Sequence, residues 1–285
     1  MRAPAARFRR RQMLGQYRIE KLLAKGATAE VFAALDTALG IRVALKVPHS
    51  HLDATMLDCI RQEIRLVAKL EHPNIMPIRT ASEIDGHLVI VQPLGTESLA
   101  DRLARRMSRE RVLEVAGQLF RALAHAHAKR VAHCDVKPDN IVLFEDGLVR
   151  LADFGLARFA IHSIEASGSG TVGFMAPEQA LGRPSVRSDV FSAGLVLYRM
   201  MAGDVPEWPF EWPYPGLSRA RRGYHIDLLE LVRHATRVDS RRRFEHAGPL
   251  LEAFERIRPY ALLARPRVPA TPAKRTSTKR PPRRA

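Results

Sequence analysis

The chain has 285 residues, 46% of them hydrophobic and 27% charged, a composition typical of a globular protein with one large domain or two small ones. No apolar run approaches the roughly 18 residues of a membrane-spanning helix, and the N-terminus lacks the apolar core of a signal peptide. Cys59 and Cys134 are the only cysteines, too few for a disulfide framework or a four-ligand zinc site, so we expect a reducing, cytoplasmic environment.

The net charge of +16 is concentrated at the two ends of the chain. Residues 1–16 carry five Arg, residues 264–285 carry six Arg and two Lys, and neither stretch has an acidic residue, so the ends hold 13 of the net charges. The C-terminal stretch is rich in Pro, Thr and Arg without apolar periodicity, which predicts a disordered tail. Such a tail either only solubilises the protein or holds it near an anionic partner such as nucleic acid or lipid headgroups.

The first third of the chain has the pattern of short strands. Residues 17–36 predict two strands joined by a Gly/Ala/Thr turn. Residues 41–47 alternate as a half-buried strand, with the apolar side chains on one face and Lys46 on the other. Residues 87–95 predict a further apolar strand, which Pro93 and Gly95 end.

One helix interrupts these strands. Residues 56–70 show helical spacing with an apolar stripe, and Glu63 falls inside that stripe. A carboxylate on a buried helix face requires a cationic partner, and Lys46 is the nearest candidate in the sequence.

Helical patterns dominate the rest of the chain. A long amphipathic helix begins near Ser108, a suitable N-cap, and residues 188–203 predict an almost wholly apolar helix at the centre of its lobe. Four prolines exclude a helix at 206–215, and two helical segments follow at about 226–237 and 247–258. The order of elements predicts an α+β protein with two lobes.

The stretch "VAHCDVKPDNIVL" (131–143) places charged and hydrogen-bonding side chains inside an apolar segment. A buried charge is costly unless it is paired or used in chemistry. Asp135, Lys137 and Asn140 are therefore candidate functional residues.

Taken together, these segments resemble the eukaryotic-type (Hanks-type) Ser/Thr protein kinases, in family order over residues 17–260. The motifs that carry the resemblance are "VALK", "HCDVKPDN", "DFG" and "GTVGFMAPE". The phosphate-loop motif G-x-G-x-x-G-x-V is eroded to "AKGATAEV", which keeps only Gly26. The resemblance implies the two-lobed kinase fold and these parts: a basic extension (1–16), a small lobe (17–94), a large lobe (95–263) and a basic tail (264–285).

The resemblance also implies a catalytic role for each polar residue of these motifs. Asp135 would orient or accept the proton of the attacking hydroxyl, and Lys137 would neutralise the γ-phosphate in transit. Lys46 would bind the α- and β-phosphates and pair with Glu63. Two further side chains would hold Mg²⁺, namely Asn140 and Asp153.

The nucleotide pocket is placed by the same resemblance. The Gln92 carbonyl and the Leu94 N–H would pair with adenine, and Gly26 would approach the phosphates. The base would lie between Leu23, Val31, Ala44, Val91 and Val142. If the alignment with the family is shifted, each of these apolar residues is instead an ordinary residue of the hydrophobic core.

Other family positions are expected to be structural. His133 would pack against the Phe of the "DFG" motif, and Asp189 would brace the catalytic loop. Glu178 would pair with Arg243, and Thr171 would contact Asp135 and Lys137.

Two departures from the family pattern stand out. Cys134 replaces the Arg that normally meets a phosphorylated activation-loop residue, so we do not expect switching through an Arg–phosphate pair, although Ser163, Ser167, Ser169 and Thr171 are candidate phosphorylation sites. The segment "PEWPFEWPYPG" (206–216) replaces a short helix. Buried packing is one interpretation of its aromatic residues and partner docking is the other.

The sequence thus predicts an enzyme that uses ATP and Mg²⁺ to phosphorylate Ser and Thr hydroxyls of protein substrates, itself included. Two other functions share the fold. A pseudokinase would serve as an ATP-binding or scaffold module, but it usually lacks the strand Lys or one of the two Asp residues. A small-molecule phosphotransferase would lack the "APE" segment.

Overall fold

The computed structural model of the chain describes residues 8–26, 28–49, 54–154 and 172–263. The predicted activation-loop serines, Thr171 and the basic tail lie outside these ranges, and so does the Gly of the "DFG" motif. The side chain of Glu63 is also outside the description, although its helix is described.

The small lobe is built on an antiparallel sheet. Within the described ranges six strands join in the order β1–β2–β3–β4–β6–β5. They are β1 (Met13–Leu14), β2 (Tyr17–Lys25), β3 (Ala29–Asp36), β4 (Ile41–Pro48), β5 (Thr80–Ile84) and β6 (His87–Pro93). The helix α1 (Ala54–Val67) lies between β4 and β5 in the chain, as the apolar stripe predicted.

Part of the basic N-terminal segment belongs to the core of this lobe. Phe8 and Leu14 are buried, and the Phe8 ring meets the Phe32 ring edge-on at 5.4 Å between centroids. Strand β1 extends the sheet by pairing with β2. Residues 8–16 therefore pack on the sheet, although their charge had suggested a separate extension.

Strand β4 differs from the half-buried strand that its alternation predicted. Both faces are buried from Val43 onward, and Lys46 itself is only 7% exposed. The reason is that the second face lines the cleft between the lobes, where Lys46 shares a pocket with Ile64 of α1 and with Phe154.

The large lobe is mainly helical, as predicted. Its helices are α2 (Leu99–Arg102), α3 (Arg109–Ala128), α4 (Pro177–Ala180), α5 (Val186–Ala202), α6 (Leu217–Gly223), α7 (Ile226–Ala235) and α8 (Ala247–Ile257). A small antiparallel sheet on the cleft side joins β7 (Glu97–Ser98), β8 (Ile141–Leu143) and β9 (Val149–Leu151). The short 3₁₀ helices are Pro138–Asn140, Val172–Phe174, Ser240–Arg242 and Arg258–Tyr260.

Two helices position the functional loops. Helix α3 begins at Ser108, whose hydroxyl accepts a hydrogen bond from Arg111 N–H, so the predicted N-cap is confirmed. Helix α5 is buried along almost its whole length, which confirms its predicted central place. The α+β architecture of two lobes predicted from the sequence is the observed one.

The aromatic segment 206–216 is not helical. Tyr214 is buried, and its hydroxyl donates to the Thr236 side chain at 3.0 Å. Trp212 packs against the same core, whereas Trp208 is 68% exposed. Buried packing is thus confirmed for Trp212 and Tyr214.

Candidate active site

Strand β4 brings the predicted phosphate-binding lysine to the metal-binding aspartate. The Lys46 Nζ lies 2.6 Å from Asp153 Oδ1, across the cleft between the lobes. Burial alone would raise the pKa of Asp153, but the charge and hydrogen bond of Lys46 hold it below its ordinary value. Asp153 therefore stays a carboxylate in this cleft. The predicted pair of Lys46 with Glu63 lies outside the described side chains.

The catalytic loop gathers three polar side chains of the predicted motif. The Lys137 Nζ lies 2.8 Å from Asp135 Oδ2. The Asn140 amide donates both to the Asp135 carbonyl and to its carboxylate, each at 2.8 Å. The Ala152 N–H donates to the Asn140 carbonyl, which connects this loop to the residue before Asp153. The charged residues of both motifs therefore share one end of the cleft.

A buried aspartate fixes the backbone of this loop. Asp189, from α5, accepts hydrogen bonds from the N–H groups of His133 and Cys134, both at 2.7 Å. A third contact joins Asp189 Oδ2 to His127 Nε2 at 2.9 Å. The predicted brace is confirmed, and it stabilises Cys134 in a left-handed conformation (φ 63°) that non-glycine residues seldom adopt.

Two more predicted structural contacts are present. The His133 ring packs against the Phe154 ring at 4.5 Å between centroids. Arg243 makes a bidentate pair with Glu178, with N–O distances of 2.7 and 2.9 Å. Burial alone would raise the pKa of Glu178, but hydrogen bonds from Arg243 and Ser188 hold it below its ordinary value.

Sequence reasoning missed a contact that closes the loop from the other side. The buried Gln179 side chain, on α4, donates through Nε2 to the Cys134 carbonyl. The two residues are 45 positions apart, and nothing in the local pattern around Gln179 indicated the contact. Both backbone polar groups of Cys134 are therefore hydrogen-bonded to side chains, its N–H to Asp189 and its carbonyl to Gln179.

The pocket beside Lys46 lies between α1 and the end of β6. Gln92 lines it together with Lys46 and Asp153, and the apolar part of the wall comes from Ile64, Val67, Met76, Ile78, Ile90 and Phe154. Across the sheet Gln92 pairs with Ala44, two residues before Lys46. The Gln92 side chain therefore points into the cleft.

The pairing of β6 with β4 differs from what the predicted hinge requires, because Gln92 rather than Val91 faces the cleft. Val91, expected against the base, packs in the core on the opposite face of the sheet. Its carbonyl accepts from Arg79 N–H, on the edge away from β4. Because consecutive carbonyls along a strand point to opposite edges, the Gln92 carbonyl faces β4 instead of the predicted adenine.

The other predicted nucleotide contacts lie on β2, β3 and β4 and after the ends of β2 and β6. Val31 pairs with Lys46 across β3 and β4, and Ala44 is buried in the same strand as Lys46. Leu23 and Leu94 line a wide open cleft at the outer edge. The Gly26 N–H donates to the Ala29 carbonyl at 2.8 Å and closes the turn between β2 and β3.

Val142 contacts the segment after β6. A Cβ on Gly95 would lie 2.2 Å from Val142 Cγ1 and 3.0 Å from the Leu143 carbonyl oxygen. Any larger residue at position 95 would clash with these atoms, so the close contact requires glycine. Gly95 thus allows the segment that follows Leu94 to pack directly against the large lobe.

The family model described as "Protein kinase domain" matches residues 17–211, about two thirds of the chain. The chain belongs to the protein kinase family. Its motif order and two-lobed fold agree with this assignment, and protein kinases generally use ATP and Mg²⁺.

Similar kinases include several bacterial serine/threonine-protein kinases. PknA of Mycobacterium tuberculosis is 36% identical over 207 residues, which cover 67% of this chain and 48% of PknA. The "DNA damage-responsive serine/threonine-protein kinase RqkA" of Deinococcus radiodurans is 35% identical over 205 residues, 68% of this chain and 31% of RqkA. This chain spans less than half the length of either relative.

A solved kinase domain has the same fold. The crystal structure of the Mycobacterium tuberculosis PknI kinase domain aligns with a TM-score of 0.65 at 24% identity, over 88% of this chain and 99% of that one. In the part of this kinase that the structure describes, no helix is long and apolar enough to cross a membrane. The predicted domain boundaries remain predictions.

The residues present fit a magnesium ion bound together with a nucleotide. Mg²⁺ prefers oxygen ligands and is usually held by one or two protein groups plus substrate phosphates. Asp153 supplies a carboxylate. Asn140 donates both amide hydrogens to Asp135. The Asn140 Oδ1 oxygen is the atom that would contact a metal.

Proposed function

We propose that this kinase transfers the γ-phosphate of ATP to Ser or Thr hydroxyls of protein substrates, with autophosphorylation among the products. The observation that carries the proposal is the gathering of the charged motif residues in one cleft. Two cations and two carboxylates meet there as the pairs Lys46–Asp153 and Lys137–Asp135. Phosphoryl transfer needs mainly positioning and charge neutralisation, which these groups supply.

Each side chain has a definite part in this reaction. Asp135 accepts or orients the proton of the attacking hydroxyl, held in place by Asn140 and Lys137. Lys137 neutralises charge on the phosphoryl group as it moves, and Lys46 holds the α- and β-phosphates. Asn140 and Asp153 would hold Mg²⁺, which neutralises charge on the phosphate oxygens when bound.

The geometry supports a hinge placed one residue later than the sequence suggested. We propose that the Pro93 carbonyl and the Gly95 N–H face adenine, in place of the Gln92 carbonyl and Leu94 N–H. The alternation of carbonyls along β6 supports this register, and so does the Gln92 side chain inside the pocket. The base then lies between Leu23, Val31 and Ala44 of the small lobe and Val142 of the large lobe.

The substrate class rests on Lys137 and on the relatives. A Lys two residues after the catalytic Asp is typical of Ser/Thr kinases, and both bacterial relatives carry that name. The partners are therefore proteins with accessible Ser or Thr. Dependence on ATP also supports the cytoplasmic location that the sequence suggested.

A pseudokinase is the second candidate, and the eroded phosphate loop favours it. The positions Ala24 and Ala29 lack the glycines of the family motif. Against it, Lys46, Asp135 and Asp153 are all present in the cleft.

The experiment is a phosphotransfer assay on the full chain with labelled ATP, Mg²⁺ and a generic basic protein, followed by phosphoamino-acid analysis. The wild type should label Ser or Thr, and Asp153→Asn should lose at least a hundredfold in rate, on the order of what a lost metal ligand costs. Glu230→Gln, an exposed carboxylate on α7, is the matched control and should keep the wild-type rate. Wild-type protein that binds ATP without labelling itself or any protein would establish the pseudokinase instead.

The basic tails are proposed as weak contacts to an anionic partner, nucleic acid or lipid headgroups. Their high positive charge supports such contacts. Truncation after Leu263 should leave the rate on a small peptide unchanged while lowering retention on both heparin and anionic vesicles. Unchanged retention would contradict the proposal.

A further inference from the structure

The phosphate loop of this chain keeps one of the three glycines that its family motif contains. Gly26 stands between Ala24 and Ala29. A glycine-rich loop cradles phosphates because its backbone can approach them closely. Because alanine carries a Cβ, the backbone at these two positions approaches phosphates less freely than glycine does, and preorganisation of the loop becomes more important for binding.

His49 contacts the loop at two points. Its backbone N–H donates to the Thr28 carbonyl at 2.9 Å. Its ring Nε2 lies 2.9 Å from the Gly26 carbonyl oxygen, and because a carbonyl only accepts, Nε2 carries the proton. His49 is thus bonded to carbonyls on both arms of the turn.

The sheet register explains how a residue 23 positions away reaches this turn. Strands β3 and β4 pair from Asp36 with Ile41 up to Ala29 with Pro48. His49 follows the last pair directly. The pairing of β3 with β4 therefore places His49 beside the start of β3, where the loop ends.

An ion pair closes the base of the same loop. The Lys25 Nζ lies 3.2 Å from Glu30 Oε1, and the Glu30 side chain is only 3% exposed. A carboxylate this buried requires such compensation. The two strands are therefore connected on both sides of the turn, by Lys25–Glu30 at its base and by His49 from the neighbouring strand.

We infer that His49 is a positioning residue for nucleotide phosphates, and this inference rests on the proposed ATP site. By binding the Gly26 and Thr28 carbonyls, His49 connects the end of β4 to both arms of the turn and restricts the path of the loop backbone. A restricted loop loses less conformational entropy when phosphates bind. The effect acts on phosphates and leaves the adenine and ribose contacts untouched.

The test compares dissociation constants for ATP with Mg²⁺ and for adenosine on the same variants. His49→Phe keeps a ring and removes the donor, so affinity for ATP should fall about five- to tenfold, the scale of one net hydrogen bond. Affinity for adenosine should stay within about twofold, because adenosine has no phosphate. His49→Gln keeps a donor near the position of Nε2 and should recover ATP affinity to within about threefold of the wild type.

The matched control is His87→Phe. His87 lies in the same sheet on β6, and its ring packs against the Phe8 ring at 5.4 Å between centroids. This variant should change neither affinity by more than about twofold. Both ligands are measured on each protein. Partial unfolding of a variant lowers its apparent affinity for ATP and for adenosine by the same factor, so the ratio of the two dissociation constants does not change.

Equal weakening for ATP and adenosine in His49→Phe, or unchanged affinity for both, would overturn the inference. Failure of the proposed function gives a different result. A wild-type chain that binds ATP but transfers no phosphate would contradict the catalytic proposal and still allow the His49 comparison.

Discussion

At the scale of single residues, the site depends on charges that are paired with one another. Lys46 meets Asp153 at 2.6 Å, and Lys137 meets Asp135 at 2.8 Å. An isolated carboxylate buried in such a cleft would shift its pKa upward and become neutral. The Lys46 charge prevents this at Asp153, which stays ionised.

The first prediction concerns the pair of Glu178 with Arg243. Glu178→Gln should destabilise the protein by about 2–3 kcal/mol, less than the roughly 3–5 kcal/mol of a fully buried pair that loses one partner. The loss is smaller because Arg243 also donates to the carbonyls of Arg187, Arg237 and Val238. Urea unfolding at pH 7 measures this difference.

The same pair gives the stability a pH dependence. The folded-state pKa of Glu178 is below its ordinary value of 4.5, so its contribution is complete above pH 4.5 and is lost as the pH falls through the folded-state pKa. The stability difference between wild type and Glu178→Gln should therefore shrink as the pH falls below 4.5. A stability difference that stays constant with pH would contradict the assignment.

Residues were predicted where a motif fixes their place, and missed where only the fold brings them together. The catalytic side chains and Asp189 stand in recognisable motifs. Gln179 and His49 act through carbonyls 45 and 23 positions away, and such contacts depend on the path of the whole chain. The proposed hinge lies one residue after the predicted one, because one residue of slip in a strand exchanges its two faces.

At the scale of elements, local signals explain which parts were predictable. The long helix α3 has a serine N-cap and a continuous apolar stripe, so its start and its buried face were both predictable. Helix α6 follows a proline-rich stretch, begins at Gly216 with φ 77° and carries three arginines, so no apolar period indicated it. Strand β5 is mostly exposed at the sheet edge and likewise has no alternation to detect.

The N-terminal segment shows how charge can hide packing. Three arginines and a glutamine follow Phe8 directly and are exposed, yet the Phe8 ring fills the core of the small lobe. Phe8→Ala should therefore cost about 3 kcal/mol, as expected for removal of a buried aromatic ring.

The neighbouring Met13→Ala serves as the control for this prediction. Met13 is 47% exposed on β1, so its replacement should cost less than about 0.5 kcal/mol. Urea unfolding of both variants gives the comparison. No loss in Phe8→Ala, or a loss as small as that expected for Met13→Ala, would show that packing of the Phe8 ring does not stabilise the fold.

At the scale of the whole molecule, the catalytic loop is ordered by contacts within the large lobe. Asp189 holds the two N–H groups of His133 and Cys134, and Gln179 holds the Cys134 carbonyl. The family Arg at this position would bring a buried charge that a loop phosphate neutralises, and Cys134 brings none. We therefore expect a phosphate on the activation segment to add little stabilisation.

We predict basal activity that is nearly independent of phosphorylation at Ser163, Ser167 and Ser169. The triple Ala variant and phosphatase-treated wild type should each work within about threefold of autophosphorylated wild type on one peptide. An Arg–phosphate contact, which this chain lacks at Cys134, is worth roughly 1.5–3 kcal/mol, on the order of ten- to a hundredfold in rate.

The matched variant Cys134→Arg restores the family residue and should make the rate depend on loop phosphate. A drop of more than about tenfold in the triple Ala variant would refute the prediction. The prediction would also be refuted if a folded Cys134→Arg variant worked at the same rate with and without loop phosphate. The missing Arg charge would then not be the cause of the independence.

The central claim is that Asp135 lies in a working phosphotransfer site, and a single comparison tests it most directly. Wild type and Asp135→Asn are measured for their dissociation constant with ATP and Mg²⁺ and for their rate of Ser/Thr phosphorylation. We predict constants within about threefold of each other and a rate that falls by at least about a hundredfold, the scale of a lost general base. Equal rates in the two proteins would contradict the account, and so would a wild type that binds ATP and transfers no phosphate.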